Sequence, residues 1–351
     1  MPTQASNVPN YRKELKRSLP AEVFAADYGN LLWLPVHTAL VAGLYWLLAT
    51  RYSIVWAPFA AIAIGHSMGC MGFVAHDIAH GGTVRKLWLR DLLAGWGFSP
   101  LWISPLLWRK WHNSDHHNNT QVKGVDPDHL FTIEDYKHNP VLKFLYRLSP
   151  LLRNLVIFGS FTFRMTQQTM RMLIVYLRDP ETNGRDKAIM LSQTLLQAGL
   201  WFGVSAWLGW PVLVWGYVVP LLVLNAMVIA YIATNHFLNP LADESDVLAT
   251  SLSVTLPGPL KVLDPLHQYF GAHVAHHLFP QAAGKHARTI ERKVAELWPD
   301  RFHTMPITRA LKLLWDTPWV YEDNATLIDP HRGERSPTLG HGLERPKTRS
   351  Q

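Results

Sequence analysis

The stretch YSIVWAPFAAIAIGHSMGCMGFVAHDIAH, residues 52–80, joins a long apolar segment directly to two histidines. Residues 52–75 contain no Asp, Glu, Lys or Arg. This apolar length is sufficient for a helix to cross the hydrocarbon core of a bilayer. His76 and His80 follow at once and are four residues apart. The stretch therefore predicts a membrane helix that ends in a pair of side chains able to bind a metal.

Three further segments have a similar length and composition, at residues 31–49, 188–210 and 212–235. Trp and Tyr cluster near the segment ends, as they do at membrane–water interfaces. The alternative, four buried helices in a large soluble core, does not account for these aromatic ends. We therefore predict an all-α membrane protein with four transmembrane helices in two hairpins.

The basic residues predict the orientation in the membrane. Of the 33 Lys and Arg, only Arg51 falls on the side opposite to all the others. Cytoplasmic loops are enriched in Lys and Arg, so both termini and the central segment should face the cytoplasm, in a bacterial inner membrane. The net charge of +7 then reflects attraction to anionic headgroups rather than nucleic-acid binding. The single cysteine, Cys70, excludes an internal disulfide.

The same composition divides the chain into three parts. Residues 1–30 form an N-terminal cytoplasmic segment, and residues 31–320 form the membrane domain with its cytoplasmic helical cap. Apolar stretches of the cap that are interrupted by Arg and Pro are predicted to lie at the membrane interface. The polar stretch 321–351 is predicted to be a disordered tail.

Three clusters of histidine suggest a metal centre. They are His76 and His80; His112, His116 and His117; and His273, His276 and His277. Residues four apart share a face of a helix, so His76 with His80, and His112 with His116, are each expected to hold one ion. A doubled histidine points two rings in different directions, which lets one helix serve two neighbouring metals. All three clusters fall on the predicted cytoplasmic side.

The number of imidazoles indicates two metal ions. Eight ligands exceed what one tetrahedral zinc needs, and the HExxH pattern of zinc proteases is absent. Imidazole suits iron as well as zinc or copper, and four ligands per metal leave positions open for dioxygen. His236, at the end of the fourth span, is a ninth candidate ligand. His37 and His66 are predicted to be packed within the spans, and the remaining histidines to be non-ligands: His129, His138, His267, His286, His303, His331 and His341.

Acidic and basic residues near the clusters suggest supporting roles. Asp77, Asp115, Asp126 and Asp128 could accept the free N–H of ligating rings, and of these we select Asp77 and Asp128. Arg109 and Lys110, next to the second cluster, are the candidate cations for a negatively charged substrate head group. An apolar substrate is expected to enter a tunnel under the metals, lined by interfacial tryptophans: Trp96, Trp102, Trp108 and Trp111.

The elements HDIAHGG (76–82), HNSDHH (112–117) and HVAHHLFP (273–280) resemble the three histidine boxes of the integral-membrane fatty acid desaturase superfamily. The resemblance covers about residues 30–300. It implies two irons held by the eight box histidines, with dioxygen as co-substrate. The first box reads HDIAH rather than the HDCGH common in acyl-lipid desaturases. Ile232 stands four residues before His236, where acyl-CoA desaturases have Asn.

The resemblance implies an enzyme that oxidises an aliphatic fatty acid or acyl chain, with desaturation as the leading reaction. Oxidative decarboxylation of free fatty acids to terminal alkenes and fatty-chain hydroxylation are the alternatives within the superfamily. A non-catalytic membrane metal-binding or receptor protein is the alternative from another class. Electrons should come from a separate ferredoxin- or cytochrome-type donor with its reductase, because the chain has no Cys₄ cluster site, GxGxxG fingerprint or haem segment.

Overall fold

The computed structural model describes residues 10–344 of the 351-residue chain, and this part is mostly helical. The first half contains α1 (Tyr11–Ser18), two 3₁₀ turns (Ala21–Phe24 and Tyr28–Leu32), α2 (Trp33–Thr50), α3 (Ala57–His80), α4 (Leu87–Phe98), a 3₁₀ turn (Ser99–Leu101), α5 (Pro105–Trp108), a π-helical segment (Arg109–His116), β1 (Phe131–Thr132), α6 (Ile133–His138), α7 (Pro140–Arg147), α8 (Pro150–Ser160) and α9 (Arg164–Arg178).

The second half contains α10 (Gly184–Trp207), a π-helical segment (Val212–Val218), α11 (Val219–His236), α12 (Val247–Thr250), β2 (Ser253–Thr255), a 3₁₀ turn (Gly258–Leu263), α13 (His273–Leu278), a 3₁₀ turn (Gly284–His286), α14 (Ala287–Leu297), β3 (Thr304–Pro306), α15 (Ile307–Asp316), β4 (Val320–Tyr321), β5 (Thr326–Ile328) and β6 (Arg335–Pro337). β2 and β3 form a parallel pair. The other strands form a sheet in the order β1-β4-β5-β6, in which β1 is parallel to β4 and the remaining pairs are antiparallel.

Within the described residues, three helices are long and apolar enough to cross a membrane: Tyr28–Thr50, Ala57–His80 and Val212–His236. The prediction of a helical membrane protein is confirmed at this level. Residues 188–207 of the predicted span at 188–210 lie in α10, which is as long as α3 but is not among these three. Polar side chains such as Gln193 and Gln197 make this helix less apolar. Gln193 pairs with Ser104, and Gln197 donates to the carbonyls of Gly95 and Ile103. Four spans in two hairpins stay a prediction.

Helix α3 lies at the centre of the membrane domain and packs against α2, α4 and α11. Of its most apolar 18-residue window, 72% is buried, compared with 28% for the first span. Gly65 and Gly69 make the close approach of α11 possible. A Cβ at Gly65 would lie 2.7 Å from the carbonyl oxygen of Pro220, and one at Gly69 would lie 1.8 Å from Met227. Small residues four apart allow two membrane helices to approach closely.

The predicted disordered tail differs from what the structure shows for residues 321–344. β5 and β6 extend the sheet next to β4, and the sheet packs on the helical cap. Val320 and Ile328 are buried with Tyr146, and Arg153 forms a buried ion pair with Asp329. A few apolar residues concentrated in two short strands therefore suffice to dock a stretch whose average composition is polar. Residues 345–351 and 1–9, which belong to the predicted tail and N-terminal segment, lie outside the described part.

Candidate metal centre

The nine candidate ligands meet where α3 and α11 end. Helix α3 supplies His76 and His80 and ends at Gly81, whose left-handed φ of 85° suits glycine. The next residue, Gly82, packs closely on Gln281, which directly follows the third histidine box. A Cβ at Gly82 would lie 2.8 Å from the carbonyl oxygen of Gln281. The remaining histidines come from the π-helical segment 109–116 and the residue after it, from α11 and from α13. His276 is half-buried and the other eight are buried.

Five histidines form the first of two groups, and all five ligand atoms lie within 4.8 Å of one another: His76, His80, His112, His117 and His276. The Nε2 atom of His112 lies 3.1 Å from that of His76 and 3.0 Å from that of His117. His117 Nε2 is in turn 3.1 Å from His276 Nε2. The buried His80 Nε2 has no hydrogen-bond partner among the described residues.

Four histidines form the second group. The ligand atoms of His116, His236 and His277 lie within 4.8 Å of one another. His273 joins them, because its Nε2 lies 2.7 Å from that of His236 and 3.0 Å from that of His277. Two facing ring nitrogens share at most one hydrogen bond, so groups of converging Nε2 atoms leave lone pairs unused. A cation in each group would use those lone pairs, and the residues therefore fit two metal ions.

The local helix geometry gives His112 a close partner that the sequence pattern did not indicate. His112 was expected to share an ion with His116, four residues later. The segment is a π-helix, in which the His117 N–H donates to the His112 carbonyl, five residues earlier. The wider turn brings His112 to His117. His116 lies with His236 and His277, and it also forms a set with His112 and Asp128 in which the ligand atoms are within 4.8 Å of one another. Each doubled histidine thus contributes one ring to each group, since His276 lies in the first and His277 in the second.

The electrostatics keep most of the rings outside the spans in the neutral form that binds metals. Burial, with smaller contributions from neighbouring histidines, lowers the pKa of His112, His117, His273, His276 and His277 well below the ordinary value. His116 differs. Burial lowers its pKa, but Asp126 and Asp128 outweigh that effect and raise the pKa to about 8.

Asp126 is the acid that orients a candidate ligand. The Nδ1 of His116 lies 3.0 Å from Asp126 Oδ1, and only Nε2 then faces the second group. Asp126 is held by the backbone N–H of Gln121, at 2.7 Å, and by that of Asp128. Asp128, which the sequence analysis selected, is 3.7 Å from His116 Nδ1 and accepts hydrogen bonds from Trp111.

The other two acids have different partners. Asp77, also selected, accepts a 2.7 Å hydrogen bond from Asn30, and Asp115 accepts one from Tyr176. Among residues 10–344 neither forms a hydrogen bond with a histidine, so a ring-orienting role for Asp77 has no contact to support it. Two supporting contacts were not anticipated, because no sequence pattern marks them. Thr120 Oγ1 lies 3.2 Å from His277 Nδ1, and the Thr250 carbonyl lies 3.4 Å from His236 Nδ1.

A smaller polar cluster lies apart from the nine histidines. His66 Nε2 is 3.0 Å from His267 Nε2, and the hydroxyl of Tyr231 is 2.9 Å from His267 Nδ1. With Cys70, the two histidines place three ligand atoms within 4.8 Å of one another. The sequence analysis did not foresee this contact between a spanning helix and the cap. His37, the other histidine placed in a span, packs against Ser67 at 3.3 Å.

An apolar cavity lies directly beneath the histidines. Phe73, Phe98 and Phe270 line it together with Trp108 and Trp111, next to rings from both groups. Two of the four predicted tryptophans therefore line the cavity. The other two pack elsewhere: Trp96 donates to Thr38, and Trp102 donates to Tyr217.

The predicted head-group cations lie outside this cavity. Arg109 forms an ion pair with Asp91, and Lys110 forms one with Asp186 at 3.2 Å. Neither residue is part of the cavity lining. Their role at a substrate head group stays a prediction that these contacts do not favour.

On the solvent side, a cavity of about 520 Å³ reaches the first group. It is lined by His80 and His117 and by three cations, Arg12, Lys16 and Arg85. Arg12 donates to the carbonyl of His277, which fixes α1 against the box-three helix. The candidate centre therefore lies between an apolar cavity and a basic one.

Comparison with known proteins identifies a match to the model of the fatty acid desaturase family over residues 54–309. All nine histidines of the candidate centre fall within these residues.

Several characterised desaturases are similar to the chain over most of its length. The sn-1 acyl-lipid omega-3 desaturase (ferredoxin) of Synechocystis sp. is 24% identical over 287 residues, which are 79% of this chain and 78% of that protein. The enzyme of the same description from Nostoc sp. is 23% identical, with 76% and 75% covered. The omega-6 fatty acid desaturase, endoplasmic reticulum isozyme 1, of Glycine max is 22% identical, with 93% and 90% covered.

Proposed function

Because the chain belongs to the fatty acid desaturase family and is a membrane-bound oxidoreductase, we propose that it removes hydrogen from a fatty acid or acyl chain to form a carbon–carbon double bond. The observation that carries this proposal is the arrangement of nine histidines in two adjoining groups above an apolar cavity. The cavity has a volume of about 40 Å³, and its apolar lining suits the methylene groups of an alkyl chain. The histidines suit metals that react with dioxygen.

We assign His76, His80, His112, His117 and His276 to one iron, and His116, His236, His273 and His277 to the other. When bound, two irons would activate dioxygen for attack on an unactivated C–H bond. The protein's own part is to hold the rings in a fixed orientation. Asp126 does this for His116, Thr120 does it for His277, and the Thr250 carbonyl does it for His236.

The residues around the apolar cavity position the chain and exclude water. Phe73, Phe270 and Trp108 present apolar surface next to His76, whose ring contacts Trp108 and Phe270 edge-on. Among the described residues of this lining, the polar neighbours of a methylene group held there are the histidines, Asp128 and the indole N–H groups of Trp108 and Trp111. The position of the new double bond would then depend on how far the acyl chain extends beyond this point.

We further propose that a separate ferredoxin-type protein supplies the electrons from the solvent side. The names of the Synechocystis and Nostoc relatives include ferredoxin. The basic cavity lined by Arg12, Lys16 and Arg85 adjoins His80 and His117. Its charge is complementary to an acidic donor, which such a surface would steer toward the centre.

Turnover of a labelled fatty acid tests the proposal. The purified protein, loaded with iron and supplied with ferredoxin, its reductase and dioxygen, should convert a carbon-14-labelled long-chain acid into an unsaturated product of unchanged carbon number, identified by gas chromatography. A terminal alkene one carbon shorter would indicate decarboxylation instead of desaturation. An alcohol would indicate hydroxylation. No product from iron-loaded, reduced protein would contradict an enzymatic function for this chain.

A further inference from the structure

A second apolar cavity, of about 400 Å³, lies between α7, α8 and α9. Leu142 and Leu145 line it from α7, Ile157 lines it from α8, and Trp319 lines it beside β4. Within residues 10–344, the only charged side chain in this lining is Arg164, the first residue of α9. The cavity thus combines an apolar wall with one cation at one position.

The guanidinium of Arg164 lacks a protein anion. It lies over the ring of Phe131, 5.9 Å from the ring centroid, and forms no ion pair with any residue that the structure describes. Burial lowers the pKa of Arg164 and Arg171 lowers it further, while the charge of Asp128, which has a smaller effect, raises it. A half-buried cation without a partner is costly, and an anionic ligand would offset that cost. The positive end of α9 lies at the same place and adds to the attraction for an anion.

The surroundings of this cavity suit entry from a membrane. Apolar side chains of α7 and α8 near the cavity are exposed, including Val141, Phe144, Leu155 and Val156. Short amphipathic helices of this kind lie in the boundary between headgroups and acyl chains. A fatty acid in a bilayer has its carboxylate at the same level, so chain and head group could enter together.

This cavity shares a wall with the one beneath the histidines. In three pairs of consecutive residues, one residue lines the first cavity and its neighbour lines the second. Arg164, Ile229 and Phe237 line the cavity between α7, α8 and α9. Their neighbours, in the same order, line the cavity beneath the histidines: Met165, Val228 and His236. Residues at the start of α9 and in and just after α11 therefore contribute to the lining of both cavities.

We propose that the cavity binds a long-chain fatty acid in its carboxylate form, with the carboxylate on Arg164 and the alkyl chain among α7, α8 and α9. The guanidinium fork matches a carboxylate in a bidentate arrangement. A volume of about 400 Å³ is near the lower end of the range of roughly 300–1,000 Å³ for ligand pockets. This size suits one alkyl chain rather than a two-chain lipid. The role of the site in delivering substrate to the histidines rests on the proposed function, whereas binding does not.

Equilibrium binding to the full-length protein in detergent tests this assignment. The ligands are a tritiated saturated long-chain fatty acid and its methyl ester, which has the same chain without the charge. Replacing Arg164 with Gln should weaken binding of the acid by about tenfold or more, the loss expected for a charged hydrogen bond, and should leave the ester nearly unchanged. Arg164→Lys should give an intermediate loss. Arg178→Gln, at the exposed far end of the same helix, is the matched control and should bind both ligands normally.

Two further measurements locate the site and identify the head group. Ile157→Trp, which fills the cavity, should weaken binding of acid and ester alike. Unchanged acid binding in Arg164→Gln, or equal losses for acid and ester, would overturn the assignment. Displacement of the labelled acid by a single-chain phosphate amphiphile at a lower concentration than by the unlabelled acid would overturn the choice of a carboxylate. The readout is binding, so a protein that binds the acid through Arg164 but turns nothing over would count against the proposed function alone.

Discussion

The hydrogen bond between His116 and Asp126 fixes which ring nitrogen of that histidine faces the second group. Asp126 itself is immobilised by two backbone N–H groups, at 2.7 Å and 2.9 Å. An acid that fixes the tautomer and the orientation of a ligating ring strengthens metal binding without touching the metal. Asp126 is therefore a positioning residue for the candidate centre.

We predict that Asp126→Asn lowers iron affinity or turnover by about 10–100-fold, the usual effect of losing such a partner. The amide keeps the shape of the carboxylate but loses its charge. Iron per chain and turnover of a labelled fatty acid are the readouts. Asp115→Asn is the matched control in the same segment, because Asp115 contacts Tyr176 instead of a histidine. Equal effects of the two changes would show that Asp126 has no special role.

Residue spacing predicted which histidines belong to the site but not how they are divided. Positions four apart mark a shared helix face, and the three clusters were visible for that reason. The π-helical turn at 109–116 places His117 next to His112 in addition to His116, and nothing in the sequence HNSDHH distinguishes a π-helix from an α-helix. Likewise, Asp126 and Asp128 are equivalent in the sequence DPD, and only the folded turn brings Asp126 closer to His116.

At the scale of elements, helix α3 has two structural roles. Its C-terminal end supplies His76 and His80, and its glycine face sets the distance to α11, which supplies His236. The position of His76 and His80 relative to His236 therefore depends on how closely α3 and α11 pack. Helix α10 contains the same spacing, at Gly199 and Gly203, but there a Cβ would meet nothing within 4 Å.

We predict that Gly65→Leu separates α3 from α11 and destabilises the protein, whereas Gly199→Leu does not. A side chain at Gly65 would overlap the backbone at Pro220 and also Val223, and overpacking of this kind typically costs about 1–3 kcal/mol. The readouts are the thermal midpoint in detergent and the iron content. Equal midpoints for the two leucine variants would contradict the close packing of α3 on α11.

Local and long-range features of the elements differ in how well the sequence predicts them. Three apolar helices follow from composition, because the hydrocarbon core sets their length. The strands near the C-terminus do not, since each has only two or three residues and is stabilised by distant partners such as Tyr146. The ion pair between Arg153 and Asp329 spans 176 positions of the chain, a separation that no local pattern indicates.

At the scale of the whole molecule, three spaces surround the candidate centre and differ in chemistry. One is apolar and lies beneath the histidines, one is apolar with Arg164, and one is basic and open to solvent. This division lets a fatty chain and an electron donor approach from different sides. The sequence showed the basic residues but not that Arg12, Lys16 and Arg85 meet at one opening, because they come from two separate segments.

We predict that Lys16→Glu raises the KM for ferredoxin several-fold and weakens its salt dependence, because charges at a docking surface mainly affect association. Turnover driven by a small chemical reductant should remain unchanged. Lys13→Glu is the matched control, since Lys13 lies on the same helix but does not line the cavity. An identical KM in both variants would place the donor elsewhere.

The proposed function requires two irons held by histidines from all three boxes, and elemental analysis of the purified protein measures them. We predict two irons per chain, with His112→Ala lowering iron in the first group and His236→Ala lowering it in the second. His138→Ala, an exposed histidine away from the centre, should retain both. Correctly folded, active protein without iron, or iron content that is unchanged in both His112→Ala and His236→Ala, would contradict the account.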